Sequence, residues 1–161
     1  MDSLVLLKHR NDIQFTFMGD GIMYKEMLRC KENNKLDNVE FLGQRSLKEA
    51  VEAMKAADVG IVSIGNHITR VAYPSKTMMY LGNGLPVMAL VDEQTELYEF
   101  INNKEIGIAV APSSPETIAK SIEKFVSRLK QKPINKHYVE DTANTFFGKE
   151  TILNKFLEIF S

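Results

Sequence analysis

Five short β-rich runs, each followed by a stretch of helical periodicity, constrain the fold of this chain more than any other feature. The runs are Ile13 to Met18, Val39 to Leu42, Val59 to Ile64, Pro86 to Val91 and Ile106 to Val110. Gly19 and Gly43 stop the first two, and Pro112 closes the last. Helical patterns occupy residues 21 to about 34, 46 to about 57, 75 to about 83, 95 to about 103 and 114 to about 130. Ser46 with Glu49 three residues on has the form of a capping box. Ser114-Pro115 pairs an N-cap with proline in the first turn. Strands alternating with helices of this length are joined by crossovers, and crossovers make the strands parallel. The expected class is α/β: a single Rossmann-like, doubly wound parallel sheet in one domain. Its core covers residues 12 to about 131, and a helical tail, broken near Gly148, covers about 136 to 161.

Composition excludes several functions. Lysine and arginine number 20 against 21 acidic residues, so no basic surplus draws nucleic acid. The single cysteine, Cys30, lies in a helical pattern and can form no internal disulfide. No apolar run approaches the ~20 residues of a membrane span. The basic residues near the N-terminus follow the Leu4 to Leu7 block rather than precede it, unlike a signal peptide. The expected compartment is the cytoplasm. No His/Cys/Asp grouping has metal-ligand spacing, so no metal site is expected. No nucleophile elbow is present, and Asp58, Asp92, Glu93 and Glu96 form no evident acid/base pair. No catalytic residue is assigned.

Open parallel sheets bind ligands beyond the carboxyl ends of their strands. Gly19-Asp20-Gly21 stands there after the first run; it is either a tight strand-to-helix turn or a place where backbone meets ligand. Gln44 and Arg45 follow the second run, and Arg45 can stack on a base or pair with phosphate. Arg70 and His67 lie in the long segment after the third run. Tyr73-Pro74-Ser75-Lys76-Thr77 opens a helix. With Ser75 as cap, the N–H groups of Lys76 and Thr77 and the Lys76 charge suit a phosphate or diphosphate; the alternative is an ordinary capped helix. Met78 to Leu81 reads as the face of that helix packed on the sheet. His9 and His137 read as structural or surface residues.

In order, residues 15 to 21 (FTFMGDG), 38 to 43 (NVEFLG), 57 to 61 (ADVGI), 74 to 76 (PSK), 80 to 87 (YLGNGLPV) and 107 to 112 (GIAVAP) resemble the C-terminal domain of family 4-like glycosyltransferases of the GT-B fold. The likeness spans about residues 12 to 128 and is greatest to bacterial enzymes of capsule, O-antigen and exopolysaccharide assembly. It implies the donor-binding half of a retaining glycosyltransferase. A nucleoside-diphosphate sugar is the substrate, and no separate cofactor is implied. Gly19, Asp20 and Gly21 would lie near the diphosphate, Gln44 and Arg45 against the base, and Ser75, Lys76 and Thr77 against the diphosphate. Many relatives carry two glutamates eight positions apart around this helix start, touching the donor sugar and the ribose; Val71 and Met79 stand there, so both carboxylates are missing, and Met79 is counted with Arg70 among the donor-binding residues by position. The first strand of such a domain, and the acceptor-binding half, lie outside the resemblance. The implied partner is that N-terminal half or a separate chain, through which any membrane contact would come, at the inner face. Two other classes stay open: a non-catalytic partner subunit, for which Phe146, Phe147, Ile152, Leu153 and Phe156 would form an apolar patch, and a sugar-nucleotide epimerase of the same fold.

Overall fold

The computed structural model describes residues 1–64 and 73–159. All five β-rich runs form strands, shorter than the runs: β1 Phe15–Phe17, β2 Val39–Phe41, β3 Gly60–Ser63, β4 Val87–Leu90 and β5 Gly107–Val110. The helices are α1 Asp2–Leu6, α2 Tyr24–Asn34, α3 Leu47–Ala56, α4 Ser75–Gly82, α5 Glu96–Asn103, α6 Pro115–Gln131, α7 Lys136–Phe147 and α8 Lys149–Ile159. Only α1 had no counterpart in the periodicity, because five residues are too few to show a period.

Every ladder is parallel. β1 pairs with β2, Phe15 opposite Val39; β4 lies between β3 and β5, Val87 opposite Gly60 on one side and Gly107 on the other. The expected single sheet is thus present as a two-strand and a three-strand ladder.

The chain divides into two compact units, Met1–Glu52 with Ser113–Lys124, and Ala53–Pro112 with Phe125–Ser161. In the first, Leu4, Leu7, Phe15, Leu36, Val39, Ala119 and Ile122 are buried. Arg10 ties its outer side, donating to both carboxylate oxygens of Asp12 at 2.7 and 2.9 Å and to Glu123 at 3.2 Å. The Asn38 side-chain amide donates to the Leu7 carbonyl at 3.0 Å, holding the N-terminal turn against the start of β2.

In the second unit, Val87, Met88 and Ala89 of the central strand are all buried, as a parallel strand covered on both faces should be. Val62, Leu81, Leu97, Ile101, Ala109, Val139 and Ala143 close around it. Val139 and Ala143 belong to α7, so this segment is part of the core and not the tail expected from the sequence. Three hydrogen bonds from two side chains explain why it docks. The Lys136 ammonium donates to the Lys55 and Ala57 carbonyls at the end of α3, and the Tyr138 hydroxyl donates to the Lys104 carbonyl at the end of α5. Beyond Gly148, α8 leaves Ile152, Leu153 and Leu157 exposed.

Gly107 is the tightest point of the ladder: a Cβ there would collide with the Val87 carbonyl oxygen of the neighbouring strand. Gly82, near the end of α4, has nothing within 4 Å of that position. Gly107→Ala is therefore expected to cost more than about 3 kcal/mol, because backbone must move. Gly82→Ala is expected to stabilise by up to about 1 kcal/mol through helix propensity. Thermal melting of the two variants checks the contrast, and a Gly107→Ala protein melting like the parent would contradict the packing described.

Candidate functional site

In the first unit, the segments after β1 and β2 are brought together. The Gly19 N–H donates to the Gly43 carbonyl at 2.8 Å, and the Leu42 N–H to the Phe17 carbonyl at 2.9 Å, so the ladder continues past both strands. Gly19 and Gly43 have φ of 121° and 65°, conformations that side chains resist. Gly21 has no such constraint, and nothing lies within 4 Å of a Cβ placed on it. Its bareness therefore serves neither backbone conformation nor packing. The helix expected from residue 21 begins at Tyr24, because the Tyr24 N–H closes a turn onto the Gly21 carbonyl at 2.8 Å. Asp20, Gly21 and the apolar Ile22 and Met23 are exposed on that turn. Below it, Phe17 and Phe41 stack at 5.1 Å, with Tyr24 edge-on to Phe41.

Gln44 and Arg45 are exposed beside Gly43. Arg45 donates to the Gln44 carbonyl at 3.1 Å and lies 3.9 Å from Glu49. The expected capping box closes the start of α3. The Ser46 N–H and hydroxyl both donate to the Glu49 carboxylate, at 2.8 and 2.7 Å, while the Ser46 hydroxyl oxygen accepts the Glu49 N–H at 3.3 Å. The bonds from Ser46, hydroxyl first and then backbone, hold the Glu49 carboxyl below its ordinary pKa.

In the second unit, the start of α4 follows β3 and so lies at the carboxyl end of the three-strand ladder. It differs from expectation by one residue. Pro74 is the N-cap, with no side-chain capping bond, and Ser75 is already helical. The Thr77 N–H is taken by the Pro74 carbonyl at 2.8 Å, and among the described residues nothing accepts the N–H groups of Ser75 and Lys76. Ser75 and Lys76 are exposed. Thr77 turns into the core at 0 % exposure, its hydroxyl without a hydrogen-bond partner among the described residues. Met79 is half-buried within α4, and Tyr80 packs over Gly60 of β3. Arg70, with His67 and Val71, lies outside the described residues.

The starts of α5 and α7 contrast with that of α4. Thr95 accepts the Tyr98 N–H at 3.2 Å, and Asn135 accepts the N–H groups of His137 and Tyr138 at 2.9 and 3.3 Å. Ser114 likewise accepts the Thr117 N–H of α6 at 3.2 Å. Side chains satisfy those helix starts, whereas no side chain caps α2 or α4. The burial of Tyr73, which was not singled out by its residue type, raises its hydroxyl pKa, with a smaller contribution from Glu96. Among the described residues no group of three His, Cys, Asp or Glu could hold a metal ion, and no helix is long and apolar enough to cross a membrane.

Comparison with known proteins identifies the family and the fold. Residues 1–128 match the family model described as Glycosyl transferases group 1. A Pseudomonas aeruginosa protein named Probable glycosyltransferase WbjE is 22% identical over 123 residues, which are 76% of this chain and 31% of that protein. The crystal structure of a glycosyltransferase from Rickettsia africae superposes with a TM-score of 0.75 at 23% identity, over 99% of this chain and 42% of that one. HepE of Anabaena, solved in complex with UDP-glucose, also gives 0.75, at 17% identity over 99% of this chain and 44% of that one. The chain thus spans less than half the length of each of these proteins.

Two outcomes test the local geometry. The depressed Glu49 pKa contributes stability that is complete above the ordinary carboxylate value, about 4.3, and is lost as pH falls through the lower folded value. Ser46→Ala should cost about 1 kcal/mol near neutrality and flatten the acid limb of a pH–stability curve. Thr77→Val keeps the shape and removes the orphaned hydroxyl, so it should raise stability by about 1 kcal/mol in denaturant unfolding; a comparable loss would mean the hydroxyl has a partner.

Proposed function

The chain belongs to the group 1 glycosyltransferases, and from that membership we propose that it is the donor-binding half of a retaining enzyme. That enzyme would move a sugar from a nucleoside-diphosphate sugar to a glycan or lipid-linked acceptor, as in bacterial polysaccharide assembly. One observation carries the assignment to this half: the uncapped start of α4, with two free N–H groups and the exposed Lys76 at the carboxyl end of a parallel ladder. Such a start carries a partial positive charge and suits a diphosphate. Ser75 and Lys76 take that role; Thr77, buried and already bonded, supports the turn from inside. Within the first unit, the bare Gly21 would let backbone approach a ligand, and the exposed Gln44 and Arg45 are the candidates for contact with a base.

Chemically, such a site acts on the leaving group. As the glycosidic bond breaks, charge grows on the departing diphosphate, and donors already aimed at it stabilise the transition state more than the ground state. The acceptor would be held by the half that this chain does not span, in an N-terminal domain or separate chain, where contact with the inner membrane face would also arise. A partner-subunit role is the second reading. It is favoured by the exposed apolar residues of α8 and by Met79 standing where many relatives have a glutamate.

The test is titration of the isotope-labelled chain with UDP, GDP and ADP. Amide signals of Gly19, Gln44, Ser75 and Lys76 should shift at millimolar nucleotide. Lys76→Ala should weaken binding about tenfold through loss of a charge-assisted contact. Gly21→Ala should leave the melting temperature unchanged and still weaken binding, because its methyl would occupy open space where the ligand comes. Absence of any shift at millimolar concentration of all three nucleotides would overturn donor binding and leave the partner role.

A further inference from the structure

We infer that Tyr73 is a positioning residue for the diphosphate-binding start of α4, locked in place by Phe100 of α5 and Phe147 of α7. This rests on the donor-binding role proposed for that helix start. Tyr73 directly precedes the N-cap, Pro74, which has φ −59° and ψ 140°. The pyrrolidine ring fixes that φ, and a residue before proline is confined to extended conformations. The backbone leading into α4 therefore has little freedom once the Tyr73 ring is held.

The ring is held from two sides. It lies 6.0 Å from Phe100, edge-on, and 5.3 Å from Phe147, tilted. Phe100 and Phe147 also contact each other at 5.2 Å, so the three rings close a triangle. Phe146 adds to it from beside Phe147, 5.1 Å from Phe100, and the Lys104 ammonium sits 4.6 Å above the Phe146 ring. These separations are those of favourable aromatic pairs.

An apolar residue ahead of an N-cap ordinarily staples onto its own helix. Here the partners belong to two other helices, so the direction of α4 is set by the core. The first turn has no side-chain cap of its own, and its two free N–H groups point wherever this anchor aims them. A displaced anchor would misdirect them, and donor groups lose much of their value when moved by about 1 Å.

Titration of the whole chain with UDP tests this, with affinity read from the Ser75 and Lys76 amide signals and folding from thermal melting. Tyr73→Phe keeps both ring contacts and should bind within about twofold of the parent. Tyr73→Ala should bind about tenfold more weakly at a temperature where it remains folded. Should Tyr73→Ala fail to fold, Phe147→Leu loosens the same triangle from α7, and a loss of at least about threefold, with shifted Ser75 and Lys76 signals in the free protein, is expected. Parent-like affinity in whichever variant folds overturns the positioning role and leaves donor binding intact. A parent chain that shows no UDP-dependent shift overturns both.

Discussion

Parallel pairing is the constraint on which the rest depends. Strands β3, β4 and β5 all run the same way, so each connection must climb back along a helix. All carboxyl ends of a ladder then share one edge, and the helix that follows each strand starts there. The same requirement buries the central strand on both faces and leaves no room for a side chain at Gly107. Nothing about the donor chemistry had to be selected separately to bring helix starts to one edge; it follows from strand direction.

What distinguishes the candidate site is which helix starts the chain leaves unsatisfied. Ser46, Thr95, Ser114 and Asn135 each use a side-chain oxygen to accept first-turn N–H groups. At α4 the cap is proline, which has no such oxygen, and the donors of Ser75 and Lys76 stay open to an anion. Thr77, one turn-edge further in, carries its hydroxyl into the core with no partner among the described residues, a burden the fold carries beside the place proposed for the ligand. Around Gly19 and Gly43 the backbone reaches past the strands into conformations that only glycine adopts readily, which presents main chain where other folds present side chains.

Much of this was legible in the residues. Periodicity placed all five strands and the helix after each, since burial on one side of a helix or strand imposes its own spacing. The capping box at Ser46 and Glu49 and the cap at Ser114 were legible for the same reason: their chemistry is local. Three features were not. The N-cap of α4 is Pro74 and not Ser75, because serine and proline both suit helix starts and only the hydrogen bond from Thr77 to Pro74 decides between them. Residues 136 to 147 looked like a tail, since nothing in the sequence of α7 states that Lys136 and Tyr138 will find the carbonyl ends of α3 and α5. Tyr73 looked like any aromatic residue, because its partners lie 27 and 74 positions away.

The sequence by itself therefore determined the alternation of elements, their parallel sense, the turn glycines, the helix caps at Ser46 and Ser114 and the family, all set by chemistry within a few residues of each position. Tertiary structure alone decided which helix starts remain open, which side chains aim them and which segment closes the core, because those depend on groups far apart in the chain meeting at hydrogen-bonding and van der Waals distance.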